Sequence, residues 1–220
     1  MHEDPWQEVL SFWFPEGVSP DVTLTSHEEH WRWRMHGGAD EAISTRFARL
    51  AARAAAGELT DWAVRPEGRL ALIILLDQFP RSLWRGDARA YAQDGAALGL
   101  ALKGLTNGHY EALPMPWQRI TFTQPLGHAE GPDHLARIDR LIDLRIRVAA
   151  EAPPRLQPLY RSLVEQARKV RKIIASFGRH PHRNAILGRK STPAESAYVE
   201  TGAFPHLAAF RDGRAGQGSA

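Results

Sequence analysis

Signals for the start and end of a helix recur along this chain, whereas no stretch alternates apolar and polar residues for long enough to form a β-strand. The clearest start is Thr192-Pro193, where Glu195 completes a capping box just inside the helix. The clearest end is Gly178, which follows a long amphipathic segment. Residues 119–124 come nearest to alternation but are too few to build a sheet. The sequence therefore predicts an all-α fold.

Apolar residues recur at helical spacing in segments that together predict about eight helices. One segment, from Arg69 to Phe79, is apolar on every side, so we expect it to be buried all round and to end at Pro80. The longest segment runs from Leu156 to Phe177. Because short loops join the segments, the helices could stack as an α–α superhelix similar to tetratricopeptide-type folds, although no motif repeats at a fixed period.

The 220 residues, 43% of them hydrophobic, are enough for one sizeable core. We expect residues 1–205 to form a single helical domain and residues 206–220, with three glycines, to form a flexible C-terminal tail. The longest apolar run, from Leu70 to Leu76, is far shorter than the roughly 20 residues that cross a bilayer. With no cysteine and no secretory signal pattern, the chain is expected to be cytoplasmic and not to associate with membranes.

The charges divide unevenly along the chain. Residues 1–136 hold 12 Lys and Arg against 18 Asp and Glu, whereas residues 137–220 hold 16 against 7. Most of the basic residues are arginines, which bind carboxylates and phosphates through two parallel hydrogen bonds. We expect the two parts to neutralise each other across an internal interface, where excess arginine would indicate a small anionic molecule or peptide as partner. Nucleic acid is a less favoured partner, because lysine is scarce and no recognised nucleic-acid motif is present.

The first of three polar clusters follows the buried segment and contains Asp77, Arg81, Arg85 and Asp94. Asp94 shares a helical face with apolar residues three and four positions away, so its carboxylate is expected to point inward and to need a cationic partner. Arg81 or Arg85 is the expected partner. Two interpretations stay open: an internal ion pair that locks two helices together, or part of a functional site.

The second cluster is the loop segment that contains His128 and Glu130. A carboxylate two residues from an imidazole can orient the ring or share its proton, as general acid–base catalysis requires. The same residues could instead cap the helix that starts near Pro132.

The third cluster is the densest, with four cations, two histidines and an amide between residues 177 and 192: Arg179, His180, His182, Arg183, Asn184, Arg189 and Lys190. Such a concentration of donors between two predicted helices suits a carboxylate or phosphate ligand. The alternative is a hydrogen-bonded loop that satisfies the helix ends on both sides.

No metal and no cofactor are expected. The chain lacks an HExxH pattern, and its closely spaced histidines, such as His180 with His182 or His27 with His30, supply two ligands each. Serine nucleophile elbows, Walker loops and dinucleotide-binding fingerprints are absent from the sequence.

Three blocks of the sequence, LDQFPRSLWRG with the following AYAQDGAAL, PLGHAE, and FGRHPHRNAILGRKSTPAE, resemble in order the signatures of a bacterial family known as domain of unknown function nine-two-four. The resemblance covers nearly the whole chain and implies an all-helical, tetratricopeptide-like fold without an assigned reaction. Two positions depart from the family pattern: His180 stands where an aromatic residue is usual, and Val170 where a histidine is expected. The matching positions are Asp77, Gln78, Arg81, Arg85, Asp94, His128, Glu130, Arg179, His182, Arg183, Asn184 and Arg189.

These observations together predict an internal polar pocket that binds a small anionic molecule and supports metal-independent, hydrolytic acid–base chemistry. The residues assigned to the ligand are Asp77, Arg81, Arg85, Arg179, Arg183, Asn184 and Arg189, and those assigned to proton transfer are His182, His128, Glu130 and Asp94. The alternative is a non-enzymatic interaction module of tetratricopeptide type, whose groove binds a peptide or partner protein while the same residues form a structural network.

Overall fold

The computed structural model describes residues 5–19 and 21–205, and every regular element within these ranges is a helix. The α-helices are α1 Pro5–Trp13, α2 Leu24–Met35, α3 Asp40–Ala42, α4 Ala48–Ala55, α5 Pro66–Ile73, α6 Phe79–Leu83, α7 Asp94–Thr106, α8 His109–Ala112, α9 Pro116–Thr123, α10 Pro125–His128, α11 His134–Glu151, α12 Gln157–Phe177 and α13 Pro193–Glu200. The 3-10 turns are Thr60–Val64, Ala88–Tyr91, Pro154–Leu156 and Pro181–Arg183, and the π turns Ile43–Phe47 and Ile74–Gln78 join α3 to α4 and α5 to α6.

The prediction of an all-α fold is confirmed. The number of helices in the described chain is close to the predicted number once short ones, such as α8 and α10, are left out. Residues 119–124 lie in α9 and the position that follows it. Thr192 and Glu195 form the predicted capping box at the start of α13, and Gly178 ends α12 in the left-handed region with φ 69°. The arrangement of the helices as a superhelix stays a prediction.

The segment from Leu70 to Phe79 is buried on every side, as its composition predicts. The expectation that Pro80 ends the helix is wrong, since the chain continues through α6 to Leu83. The π turn Ile74–Gln78 accounts for the difference: it widens the helix just before the proline and places Pro80 in the first turn of α6, where a missing N–H is tolerated. This π turn also carries Asp77 into the protein interior.

One cluster of buried apolar side chains extends along the described chain from Val9 to Ile174. The most extensive helix pair in it is α11 with α12, and α5 packs against both α1 and α7. Among the helices described, none combines the length and the apolar composition needed to span a membrane. The division into a domain at 1–205 and a tail at 206–220 stays a prediction, because the tail lies outside the described residues.

Candidate functional site

Five of the predicted residues form one connected network of hydrogen bonds and ion pairs. They come from the π turn before α6, from α6 itself, from the first residue of α7, from the last residue of α10 and from the 3-10 turn 181–183. Residues from all three polar clusters of the sequence therefore meet at one place. We call this network the His128 cluster, and its members are Asp77, Arg81, Asp94, His128 and Arg183.

His128 and Asp77 are joined directly. The Nδ1 atom of His128 lies 2.8 and 3.0 Å from the two carboxylate oxygens of Asp77, whose side chain is fully buried and also accepts from Gln78. Burial alone would raise the pKa of Asp77, but the charges and hydrogen bonds of its neighbours, His128 first and Arg81 next, outweigh burial and hold the pKa below its ordinary value. Asp77 therefore stays ionised, so Nδ1 of His128 is the donor in this contact, and Nε2 carries the lone pair when the imidazole is neutral.

The other nitrogen of His128 is free. The side chain is 32% exposed, and Nε2 makes no hydrogen bond in the part of the chain that the structure describes. The imidazole contact predicted for Glu130 or Asp94 is made by Asp77 instead. An imidazole that is fixed through one nitrogen and open at the other can accept a proton from a bound molecule.

Asp94 holds two arginines. Arg81 donates to its Oδ1 atom and also reaches Oδ1 of Asp77 at 3.4 Å, while Arg183 donates to Oδ2 of Asp94 at 3.0 Å. The predicted choice of partner for Asp94 lay between Arg81 and Arg85, and the contact is made by Arg81. Both interpretations of Asp94 are compatible with this geometry, because the pair links α6 to α7 and also borders His128.

Tyr91 also borders the His128 cluster, and no pattern in the sequence singles it out as a site residue. The guanidinium groups of Arg81 and Arg183 lie 4.7 and 4.4 Å from the centroid of its ring. Such contacts attract a cation to the face of the ring and fix the plane of the guanidinium. Arg183 also donates to the carbonyl oxygen of His128 at 2.9 Å, so it is tied to the backbone beside the imidazole.

Arg183 retains donors that the protein does not use. Its side chain is buried, and its Nε atom has no hydrogen-bond partner among residues 5–19 and 21–205. Burial, followed by the neighbouring charge of Arg81, lowers the pKa of Arg183, although a guanidinium remains protonated at neutral pH. An unsatisfied buried donor costs about 1–3 kcal/mol, so an acceptor that reached this atom would be favoured.

Glu130 is engaged by Arg189. Arg189 donates to both carboxylate oxygens of Glu130, and the backbone N–H of His180 donates to Oε1 at 2.7 Å. Burial would raise the pKa of Glu130, but the hydrogen bonds from Arg189 and His180 outweigh it and lower the pKa. Glu130 therefore holds the segment that carries Arg183.

Arg179 and Asn184 fasten the same segment to α13. Arg179 donates to the two carboxylate oxygens of Glu195 at 2.6 and 2.8 Å, and this contact is the main reason that the pKa of Glu195 is lowered to about 2. Asn184 donates to Oγ of Ser191 at 3.0 Å. These contacts match the interpretation of a loop that satisfies the ends of the neighbouring helices.

Two predicted residues take other positions. Arg85 is 61% exposed and donates to Asp40 at 2.6 Å, so it does not join the His128 cluster. The ring of His182 packs 5.4 Å from that of His180 and 5.3 Å from that of Phe204.

The expected neutralisation between the two parts of the chain is present at the site. The pairs Asp94–Arg183 and Glu130–Arg189 each join the acidic first part to the basic last part. Within the His128 cluster, two carboxylates balance two guanidinium groups when the imidazole is neutral. A proton on His128 would therefore give the cluster one net positive charge.

A second buried network, which sequence reasoning missed, resembles the first. Nδ1 of His27 lies 3.0 Å from Glu16, and Arg34 donates to both oxygens of Glu16 at 3.0 and 2.8 Å. Nε2 of His27 lies 2.8 Å from the Tyr160 hydroxyl and accepts the indole N–H of Trp31 at 3.1 Å. We call these five residues the His27 network. The signal in the sequence is the i, i+4, i+7 spacing of His27, Trp31 and Arg34, which places them on one face of α2.

A cavity of about 400 Å³ lies apart from these networks, and none of the predicted site residues lines it. Its walls come from α4, the 3-10 turn 60–64, α5, the π turn 74–78 and α7, with Arg69 among the lining residues. Within the described ranges, no three His, Asp or Glu side chains come together as metal ligands would.

The fold and the site define an all-α protein whose helices are tied together by ion pairs around a partly exposed histidine. A model of a family of bacterial proteins of unknown function, DUF924, matches residues 9–203, and the chain belongs to that family. The solved structure of a protein of unknown function from Agrobacterium tumefaciens is similar, with 32% identity over 89% of this chain and 97% of that chain and a TM-score of 0.64. A comparison with curated proteins gave no match.

Proposed function

We propose that the protein binds a small molecule with a carboxylate or phosphate group beside His128, and that His128 moves a proton on it in a metal-independent hydrolytic reaction. The observation that supports this proposal is the bond from Nδ1 of His128 to buried Asp77, combined with an Nε2 atom that is free in the described chain. A carboxylate that fixes this tautomer leaves the second nitrogen available as a general base.

In the proposed reaction, Nε2 of His128 takes a proton from a water molecule as the water oxygen attacks the carbonyl carbon or the phosphorus of an ester. The bond to the leaving alcohol then breaks, and the imidazolium returns the proton to the alcohol oxygen. Asp77 stabilises the imidazolium in between, because its lowered pKa keeps it ionised throughout.

The anionic group would be attracted by the guanidinium groups of the cluster, which keep their charge while His128 is neutral and able to accept a proton. Arg183, with its unused buried Nε, is the proposed contact, and Arg81 lies on the same ring of Tyr91. Asp94 would act as a positioning residue, because it holds both guanidinium groups.

Three further predicted residues, Glu130, Arg179 and Arg189, have supporting parts in this proposal. Glu130 with Arg189, and Arg179 with Glu195, would hold the segment that presents Arg183.

Hydrolysis of three p-nitrophenyl compounds tests the proposal: the neutral acetate ester, the succinate half-ester with its free carboxylate, and the phosphate. We expect an anionic compound to react faster than the acetate, and His128→Gln to lower kcat/KM by about 10²-fold or more, as is typical for loss of a general base. His30→Gln is the matched control, since His30 is 28% exposed, against 32% for His128, and its Nδ1 also lies near a carboxylate, 3.5 Å from Oε1 of Glu16. No turnover of either anionic compound, or equal losses in the two variants, would overturn the proposal.

The alternative of a non-enzymatic interaction module is supported by one observation, the ion pairing of both carboxylates of the His128 cluster with its two arginines. In that case the cluster would be a structural network, and the groove between helices would bind a peptide. It predicts that His128→Gln destabilises the fold as much as the fully buried His27→Gln does and leaves no activity to lose.

A further inference from the structure

The cavity of about 400 Å³ has the size of a small-molecule site and largely apolar walls. Leu72, Leu76 and Leu100 line it together with four alanines from α4, the 3-10 turn 60–64 and α7. None of the five residues of the His128 cluster lines this cavity, so a ligand here would be separate from the proposed reaction.

Arg69 brings a buried positive charge to the wall of the cavity. Its side chain is buried, yet no carboxylate of the described residues lies within ion-pair distance of it. A buried cation without an anion is costly, because its hydration is lost and no opposite charge replaces it. Burial accordingly lowers the pKa of Arg69.

The hydrogen bonds of Arg69 fix it without neutralising it. Its Nε, Nη1 and Nη2 atoms donate to Nδ1 of His109 at 3.1 Å, to the Leu100 carbonyl at 3.2 Å and to the Ala63 carbonyl at 2.8 Å. A guanidinium has five N–H donors, so one donor on each terminal nitrogen is left over. The pKa of His109 is lowered by burial and by the charge of Arg69, so His109 supplies an acceptor and no second charge.

The fold also makes room for this arginine. A Cβ atom at Gly104 would lie 2.9 Å from Cδ of Arg69 and closer still to the ring of Phe122. Any larger residue at 104 would therefore displace the arginine or the ring. On the same helix, the exposed Lys103 lines the cavity at its solvent edge and adds a second positive charge.

We propose that this cavity binds a small amphipathic anion, with its apolar body against Leu72, Leu76 and Leu100 and its carboxylate or phosphate group between Arg69 and Lys103. The apolar walls provide the binding energy for the body of the ligand. The unpaired guanidinium and the lysine select for a negative charge at one end.

Calorimetric titration of the full chain with octanoate and with octanol, its neutral analogue, tests the proposal. We expect octanoate to bind at one site per chain and octanol to bind at least about tenfold more weakly, because only the carboxylate can pair with the buried charge. Absence of octanoate binding, or equal affinities for the two compounds, would overturn it. Octyl phosphate in the same titration tells which anionic group is preferred.

Two pairs of variants locate the binding. Ala96→Trp fills the cavity from an exposed position of α7 and should abolish octanoate binding, whereas Ala52→Trp, at an exposed position of α4 outside the cavity, should not change it. Lys103→Gln should weaken octanoate about fivefold and leave octanol unaffected, whereas Lys169→Gln on α12 should change neither. All four positions are exposed, so folding is expected to be retained. Equal effects within either pair would contradict the proposed site.

Discussion

The His27 network and the His128 cluster are built from the same groups. Each joins Nδ1 of a histidine to a buried carboxylate that an arginine also contacts. In the His27 network, Nε2 has two hydrogen-bond partners and the ring is completely buried, whereas Nε2 of His128 is free within the described chain and its ring is partly exposed. A carboxylate–imidazole pair is therefore not in itself a sign of function. What distinguishes the two regions is the availability of the second nitrogen.

The largest expected effect is a loss of stability on substitution in the fully buried His27 network. Glu16→Ala should lower the free energy of unfolding by about 3–5 kcal/mol, because it leaves Arg34 as an unpaired buried charge and removes the acceptor of His27. Urea unfolding measures the change. Glu8→Ala, which removes the exposed pair with Arg46, is the control and should cost less than about 1 kcal/mol. Similar losses in the two variants would contradict a structural role for the His27 network.

The His27 network should also make the free energy of unfolding depend on pH. The pKa of Glu16 is about 2 in the folded chain against 4.5 ordinarily, since its bonds to His27 and Arg34 outweigh the effect of burial. A lowered pKa means that the folded state binds fewer protons, so Glu16 contributes about 3 kcal/mol above pH 4.5 and loses it as the pH falls toward 2. Burial lowers the pKa of His27 from its ordinary value of 6.5. Below pH 6.5 this group therefore also makes the free energy of unfolding fall as the pH falls.

Urea unfolding at a series of pH values between 7 and 2 checks this prediction. In Glu16→Gln the free energy of unfolding should fall less steeply below pH 4.5 than in the unmodified chain. Parallel curves for the two proteins would show that Glu16 is not the group that titrates.

A smaller effect on stability is expected for substitution in the partly exposed His128 cluster. His128→Gln removes one partly exposed hydrogen-bond donor to Asp77, while Arg81 and Gln78 still contact the carboxylate, so the loss should be about 1 kcal/mol. His27→Gln, by comparison, disturbs three buried hydrogen bonds and should cost at least twice as much in the same urea experiment. If His128→Gln costs as much as His27→Gln, the two regions are both structural.

Local features of the sequence predicted local features of the fold. Capping residues, the end of α12 at Gly178 and the fully buried segment after Arg69 depend on neighbours within a few positions, and the structure agrees with each of them. The continuation past Pro80 depends on a π turn in the core, and no local pattern in the sequence indicates it.

Contacts between distant segments limited the prediction of the site. Sequence reasoning paired His128 with Glu130, two positions away, but its actual partner Asp77 lies 51 positions away. His27 and Tyr160 are 133 positions apart, and only the packing of α2 near the start of α12 brings them together. The sequence pattern predicts only that Arg69 begins an apolar, buried segment. Its lack of a carboxylate partner emerges only once its surroundings are known.

The central claim is that His128 is held for proton transfer, whereas His27 is held for stability. The most direct test is the rate at which each ring reacts with diethyl pyrocarbonate. The folded chain is treated with the reagent and then digested, and mass spectrometry of the peptides gives the extent of reaction at each histidine. The reagent attacks an unprotonated, accessible imidazole nitrogen, so His128 should react readily and His27 only after unfolding. Asp77→Asn should slow the reaction of His128 severalfold, because the ring loses its fixed tautomer, and leave that of His30 unchanged. Equal protection of His128 and His27, or a rate at His128 that Asp77→Asn does not alter, would contradict this account.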